Sequence, residues 1–536
     1  MNDSNFHPFS SPRFLRKRHV GLFKLFLSIL FFAPIAFSNH AFAQNKNYYF
    51  DPLKGKDNNT GISPNKAFKN INILKRLHVQ PGDSILLKSG EVFNSPLFFS
   101  GKGTISKPIV IGKYGGKARP YFKGDASELE MVHIYNSENI VLRDLEISNK
   151  GNVIRPHLSG LIVELYNYGI AQNITIENIF VHDVYGSLIK GEGNNDKDAG
   201  GGQAINIINL REGEHDSIPS CFDGLLIQDC YVKNCQRNGI MMWGNWARKY
   251  WFPSKHVIIR RNTVDGVPGD GIVPVACENP LVEYNVMKNS PATLPASEAC
   301  DGIWPFSCDN AVIQYNIVSD HHSIVDGYGL DADYNCNNSL FQYNLTYNND
   351  GGFLLLCNSG GWPLDYSVGT RGTVVRYNIS INDGVRERKV QVKGGYFSPT
   401  IHITGPAQNS NIHHNLFYIK KKALEVMDKR LICSDDWHGY ADSTYFSHNY
   451  IYTEELIFAF DSTKSTNNFF DANRYVGSIR SLSDAFEPYS GKFDSTLWYE
   501  KKDKNWKKLI DFLKGKKILL AGKEVPVLKI IGWAEK

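Results

Sequence analysis

The chain has 536 residues, 42% of them hydrophobic and 12% aromatic, with 59 Lys and Arg against 54 Asp and Glu for a net charge of +5. This composition belongs to a globular protein and excludes a disordered one. So even a charge balance also excludes the dense basic face that a nucleic-acid partner needs.

The N-terminus reads as an export signal. Arg13, Arg16, Lys17 and Arg18 precede an apolar run from Gly21 to Phe37, and Ala41-Phe42-Ala43 supplies a small-x-small cleavage site. The run is short for a membrane span, Pro34 interrupts it, and no Cys follows that could carry a lipid. Residues 1–43 are therefore expected to be removed. The mature protein is expected to be periplasmic or secreted, without a membrane anchor and as a monomer.

Residues 44–83 form an N-terminal strand and cap. Tyr48-Tyr49-Phe50-Asp51 reads as a strand, and Ser63-Pro64 as an N-cap followed by Pro at the first helical position. An amphipathic helix to about Leu77 is expected, then a turn at Pro81-Gly82-Asp83.

From residue 84 to residue 475 one phrase recurs: apolar residues, one or two polar ones, an Asn, then apolar again. It appears as Val257–Asn262, Leu281–Asn285, Val312–Asn316, Leu340–Asn344 and Val374–Asn378, with weaker copies ending at Asn178, Asp229, Asn415 and Asn449. From Asp229 onward the copies lie 23 to 37 residues apart. A repeat of this kind marks a solenoid, whose units bury their apolar faces only by stacking. Val, Ile and Tyr dominate without a 3.6-residue stripe, so each unit is a turn of strands. The five Asn are expected to stack in one line. The uneven spacing places loops of variable length on a constant coil, which is how a binding face is built.

A second strand in most coils opens with Gly and an apolar residue: Gly239-Ile240, Gly271-Ile272, Gly302-Ile303, Gly329-Leu330 and Gly352-Phe353. Cys277, Cys308, Cys336 and Cys357 follow these steps once per coil, which predicts a ladder of small buried thiols. Residues 476–536 lose the Asn phrase and read as a small C-terminal cap. Trp506 to Leu513 is expected to be helical, with Ile518-Leu519-Leu520 and Val525 to Ile531 as short strands.

The N-terminal phrases Tyr48–Asp51, Gly61-Ile62-Ser63-Pro64, Pro81–Leu87 and Pro108-Ile109-Val110-Ile111 resemble the opening of bacterial right-handed parallel β-helix proteins. Most of these resemble pectin-lyase-like lyases, epimerases and glycoside hydrolases. The resemblance covers about residues 46 to 475 and implies an all-β, right-handed parallel β-helix with an N-terminal capping helix and a small C-terminal cap. It fixes the fold far more tightly than the reaction.

Aligning the second strands on their Gly steps places Met241/Trp243, Val273/Val275, Trp304/Phe306, Asp331/Asp333 and Leu354/Leu356 outward. Two acids thus project from one strand into an apolar, aromatic surface, with Trp304, Phe306, Leu354 and Leu356 as expected neighbours. Repulsion and burial there would split the two pKa values, as an acid/base pair requires. At this spacing the pair suits either a retaining or an inverting glycosidase. Asp301 is a candidate third catalytic carboxylate. Asp270, Trp304, Phe306, Tyr328, Trp243, His322 and Arg237 are candidate substrate contacts. No cofactor is required, the alternative being a Ca2+ ion on Asp331, Asp333 and Asp301.

Gly329-Leu330-Asp331-Ala332-Asp333 resembles the Gly-Ile-Asp-x-Asp segment of β-helix glycosidases related to β-xylosidases and fucosidases, with Tyr334 where those families commonly have a third Asp. From Tyr328 the stretch also resembles the Tyr-Gly-Phe-Asp-Pro-His motif of alginate C5-epimerases, with Ala332 and Asp333 in place of Pro and His. The first resemblance implies an exported glycoside hydrolase acting on a polysaccharide or oligosaccharide. The second implies a lyase or epimerase on a uronate polymer, in which His321 or His322 would supply the missing base and Arg237, Arg248 and Lys249 would bind the uronate. A non-catalytic glycan-binding β-helix is the third reading.

Overall fold

The structure is a computed structural model that describes residues 45–533, apart from 153–154, 187–200, 210–216, 296–297, 391–392, 420–426, 463, 481–501 and 521. The expected export signal lies outside the described residues.

Parallel strands climb the chain on three faces. The first face holds the apolar half of each Asn phrase, as in Ile258–Arg260, Leu281–Glu283, Val312–Gln314, Leu340–Gln342 and Val374–Arg376. Only the middle residue of each is fully inward: Ile259, Val282, Ile313, Phe341 and Val375 are all 0% exposed. The second face follows the Asn, as in Val286–Lys288, Ile317–Ser319, Leu345–Tyr347 and Ile379–Ile381. The third face carries Ile240–Trp243, Ile272–Val273, Tyr328–Ala332, Gly352–Cys357, Ile401–Thr404 and Arg430–Asp435.

The corner between the first two faces is an asparagine ladder, as the repeat predicts. Asn262, Asn285, Asn316, Asn344, Asn378, Asn415 and Asn449 stack in sequence, each donating its side-chain amide to the Oδ1 of the next at 2.9–3.1 Å. Each Oδ1 also accepts the backbone N–H of the preceding Asn, so the turn's donors are satisfied without water. The residue before each Asn adopts the left-handed region: Tyr284, Tyr315, Tyr343, Tyr377, His414 and His448 have φ of 52–59°. That conformation costs roughly 1 kcal/mol per residue. Ring stacking from Tyr284 to His448, at centroid spacings of 4.9–6.0 Å, offsets it.

The thiol ladder is present but shorter than expected. Cys277, Cys308 and Cys336 are 0% exposed, and the Cys336 sulfur accepts the Cys308 backbone N–H at 3.4 Å. All nine cysteines are thiols outside any disulfide. Cys357 is not in the ladder: Asn337 bridges to Arg371, which puts Thr370 next to Cys336, and the strand that carries Cys357 is offset by one residue from the Gly alignment. Tyr328 pairs with Gly352 and Leu330 with Leu354, so Phe353, not Gly352, stands opposite Gly329. A one-residue slip turns every side chain over. Leu354 and Leu356 therefore point inward, at 0% exposure, while Leu355 and Cys357 take the outward positions that the Gly alignment assigned to them.

Two terminal elements differ from expectation. The capping helix is two 3-10 turns, Pro64–Lys66 and Ile71–Arg76. Phe68 between them pairs with Phe50, and its backbone bonds to Tyr49 and Asp51 break any continuous helix. At the C-terminus, Lys504–Leu513 is helical as expected, but the last expected strand splits into the strand Lys523–Pro526 and the short helix Val527–Ile530. The Asp503 carboxylate caps the longer helix at Asn505 N and accepts the Tyr377 hydroxyl at 3.0 Å, pinning the tail to the tyrosine column.

Candidate active site

Asp331 projects outward from the strand Tyr328–Ala332 of the third face and Asp333 from the residue that follows it, 3% and 9% exposed. One oxygen of each carboxyl and the Cys357 sulfur lie within 4.8 Å of one another. The neighbouring strand on one side contributes Leu355 and Cys357, which pair with Asp331 and follow it in register. On the other side the Ile303–Leu330 bridge sets Trp304 and Phe306 alongside, as the sequence alignment expects.

The two acids are held differently. Asp333 Oδ1 accepts the Tyr334 backbone N–H at 2.7 Å and the Cys357 thiol at 2.7 Å. Asp331 has the same thiol 4.0 Å away. Burial, then the charges of Asp333, Asp301, Asp326 and Asp270 in that order, push the Asp331 pKa well above the usual carboxylate value. A carboxyl held above its usual pKa beside a second carboxyl that accepts two hydrogen bonds is the kind of pairing that proton transfer to a leaving group requires.

Asp270 and Asp301 belong to a second ladder at the edge of this face. Asn238 Oδ1 accepts Asp270 N at 3.0 Å, Asp270 Oδ1 accepts Asp301 N at 3.1 Å, and Asp301 Oδ1 accepts Tyr328 N at 2.6 Å. Their carboxylates tie successive coils together and add negative field at Asp331. Asp326 has φ 55° at this corner and adds to the same field.

The remaining expected contacts scatter. Trp304 donates its indole N–H to Asp270 at 3.1 Å, and Phe306 packs under Trp246 at a centroid distance of 5.5 Å. Both are under 9% exposed, so neither offers an open stacking face. Trp243 is three coils away and packs on the core. Arg237 is 1% exposed and ion-paired with the buried Glu298. His322 binds Asp350 at 2.9 Å, a carboxylate that Arg388 also holds. His321 is 0% exposed, and burial pulls its pKa down to about 4. Arg248 is spent on Asp309 and Asn335. The Tyr328 ring lies on the same outward patch as Leu355 and Cys357, its hydroxyl buried and, among the described residues, without a hydrogen-bond partner.

Aromatic residues that the sequence reading passed over line the other side. Tyr334 stacks on Trp362 at 6.1 Å and meets Trp437 edge-on at 5.9 Å. These two indoles come from loops after the next coils and are 38% and 37% exposed. No periodicity marks them, because they sit in the variable loops rather than in the repeat. A Ca2+ ion fits this centre poorly. The third group converging on the aspartates is a thiol, while Ca2+ takes six or more oxygens.

The family described as "Right handed beta helix region" matches residues 208–368 and 250–431. The fold is that of a right-handed parallel β-helix. The lacto-N-biosidase of Bifidobacterium longum subsp. longum is 26% identical over 477 residues, covering 72% of this chain and 28% of that protein. The chain thus spans little more than a quarter of that relative's length. Crystal structures of the GH136 lacto-N-biosidase from Eubacterium ramulus, native and selenomethionine, superpose with a TM-score of 0.55 at 22% identity, covering 80% of this chain and 68% of theirs. The likeness to carbohydrate-active β-helix proteins read from the N-terminal phrases is borne out, and it carries the fold.

Proposed function

We propose that the protein is an exported glycoside hydrolase that cleaves an oligosaccharide or polysaccharide with Asp331 as general acid and Asp333 as nucleophile. The observation that carries this reading is the unequal hydrogen bonding of two carboxyls on one buried strand. Their oxygens approach within 4.8 Å, close to the roughly 5–5.5 Å of retaining glycosidases and short of the roughly 6.5–9.5 Å that leaves room for an inverting water. Retention is therefore the expected outcome. Trp362 and Trp437 supply open ring faces on which a pyranose stacks. The relatives named lacto-N-biosidase support the hydrolase class.

The electrostatics disfavour a lyase or epimerase. Every charge that weighs most on Asp331 is another carboxylate, which repels a uronate. Arg386, the buried guanidinium beside this corner, is occupied by the carbonyls of Ser323, Ile324, Asp326 and Phe397. Burial also pushes the Tyr328 phenol well above its ordinary pKa, so it resists becoming the base that β-elimination needs.

The test is product chemistry on a panel of polysaccharides and p-nitrophenyl glycosides, a lacto-N-bioside among them. Release of reducing ends or nitrophenol without an unsaturated uronate supports the reading; an unsaturated product overturns it. Export is checked by sequencing the N-terminus of the protein recovered outside the cytoplasm, which should begin near Gln44.

A further inference from the structure

We infer that Cys357 is a positioning residue for Asp333, its thiol donating to Asp333 Oδ1 so that the proton shared by the pair resides on Asp331. The inference rests on the glycosidase reading and goes beyond it by assigning a task to a cysteine that composition alone would place among inert core thiols.

Three features carry it. The first is distance: the Cys357 sulfur is 2.7 Å from Asp333 Oδ1 and 4.0 Å from Asp331 Oδ1, so the thiol's one hydrogen serves Asp333. The second is rigidity. The Thr370 hydroxyl lies 2.6 Å from the Cys357 carbonyl and 3.0 Å from the Asp333 carbonyl, clamping the two strand ends that set the sulfur–oxygen separation. The third is that the sulfur keeps its hydrogen. Burial, followed by the charges of Asp331 and Asp333, pushes the Cys357 pKa well above the ordinary thiol value, so the group donates and does not itself ionise.

A donor on one oxygen of a carboxylate favours its charged form. With the Tyr334 N–H, Asp333 has two donors on the same oxygen. Asp331 has, among the described residues, no donor nearer than the thiol and faces Asp301, Asp326 and Asp270. The next coil adds His402 and Lys393, but both are engaged by Asp435, at 3.0 and 2.8 Å. Cys357 and one backbone amide thus contribute to the asymmetry between two chemically identical acids.

The experiment compares the full mature protein with Cys357→Ala, Cys357→Ser and Asp333→Asn by two readouts. Infrared spectroscopy of the S–H stretch should show one thiol of the nine shifted to lower frequency by a charged acceptor. That band should vanish in Cys357→Ala and move back toward the others in Asp333→Asn. On a p-nitrophenyl glycoside the acidic limb of kcat/KM should move up by about one pH unit in Cys357→Ala, because losing the donor raises the Asp333 pKa. Cys357→Ser, which keeps a hydroxyl donor, should restore most of the shift. A thiol spectrum without the shifted band overturns the inference whether or not the protein hydrolyses any glycoside. So does an acidic limb that stays in place in Cys357→Ala, even if that variant is less stable. Absence of hydrolysis with the shifted band present leaves the hydrogen bond standing and overturns the hydrolase reading alone.

Discussion

Asn316 Oδ1 accepts both the backbone N–H and the side-chain amide of Asn285, at 2.9 and 3.1 Å, while Asn316 itself donates to Val282 O and Asn344 Oδ1. One side chain therefore closes one turn and links it to the two beside it.

Asn316→Ala should for this reason be far more costly than a surface change. It leaves buried donors and acceptors unmatched in three coils, at about 1–3 kcal/mol for each unsatisfied group. A loss on the order of 3 kcal/mol or more in chemical unfolding is expected. A change within about 0.5 kcal/mol, the range of ordinary surface substitutions, would contradict the ladder.

The cysteines give a second check. All nine are buried and outside any disulfide, and burial raises the thiol pKa of Cys230, Cys235 and Cys433 to about 12. Native protein should react slowly with a disulfide reagent, and unfolded protein should yield nine equivalents without prior reduction. Fewer than nine would mean that covalent bonds, not packing, brace the coil.

His133 ties the first coils to pH. Burial alone would lower its pKa, but Glu130 at 3.0 Å and Glu164 at 2.9 Å raise it to about 9. A raised folded-state value stabilises fully below the unfolded value near 6.5 and is lost as pH rises through about 9. His133→Gln should therefore lose on the order of 2–3 kcal/mol at pH about 6 and much less at pH about 10. A difference that is the same at both ends would show that the imidazolium pair contributes no net stability.

Trp362 should act in binding. Trp362→Ala removes an open ring face stacked on Tyr334, and such contacts are worth about 0.5–1.5 kcal/mol. KM should rise up to about tenfold with kcat little changed. A fall in kcat at constant KM would place the indole in the chemistry instead.

The coil was legible because its rule is local. An Asn that closes a turn and an apolar residue that points inward recur at every step, so Asn262 through Asn378 and Ile259 through Val375 could be placed from sequence. The site was legible only in part. Asp331 and Asp333 stand out as acids at the end of a strand, but the partner strand was misread because Gly352 looks like the counterpart of Gly329 while the register places Phe353 there. That slip hid Cys357 among the core thiols and put Leu354 where Leu355 belongs. Trp362 and Trp437 lie in loops whose course depends on packing between distant coils, which no repeat encodes. The N-terminal helix failed for a related reason: Ser63-Pro64 starts a helical turn, but pairing of Phe68 with Phe50 overrides its continuation.

The central claim is that the Asp331 and Asp333 carboxyls perform the chemistry, and kcat of Asp331→Asn and Asp333→Asn on a glycoside cleaved by the wild type tests it most directly. Each change should cost on the order of 10²–10⁴ in kcat, or more for the nucleophile, with thermal stability kept or raised because one of two crowded acids is gone. Asp350→Asn, whose carboxylate serves His322 and Arg388, should retain activity in the same assay. Azide should rescue Asp333→Ala with a glycosyl azide of inverted configuration, which identifies Asp333 as the nucleophile. Wild-type turnover in both asparagine variants would contradict the account and move the active centre elsewhere on the helix.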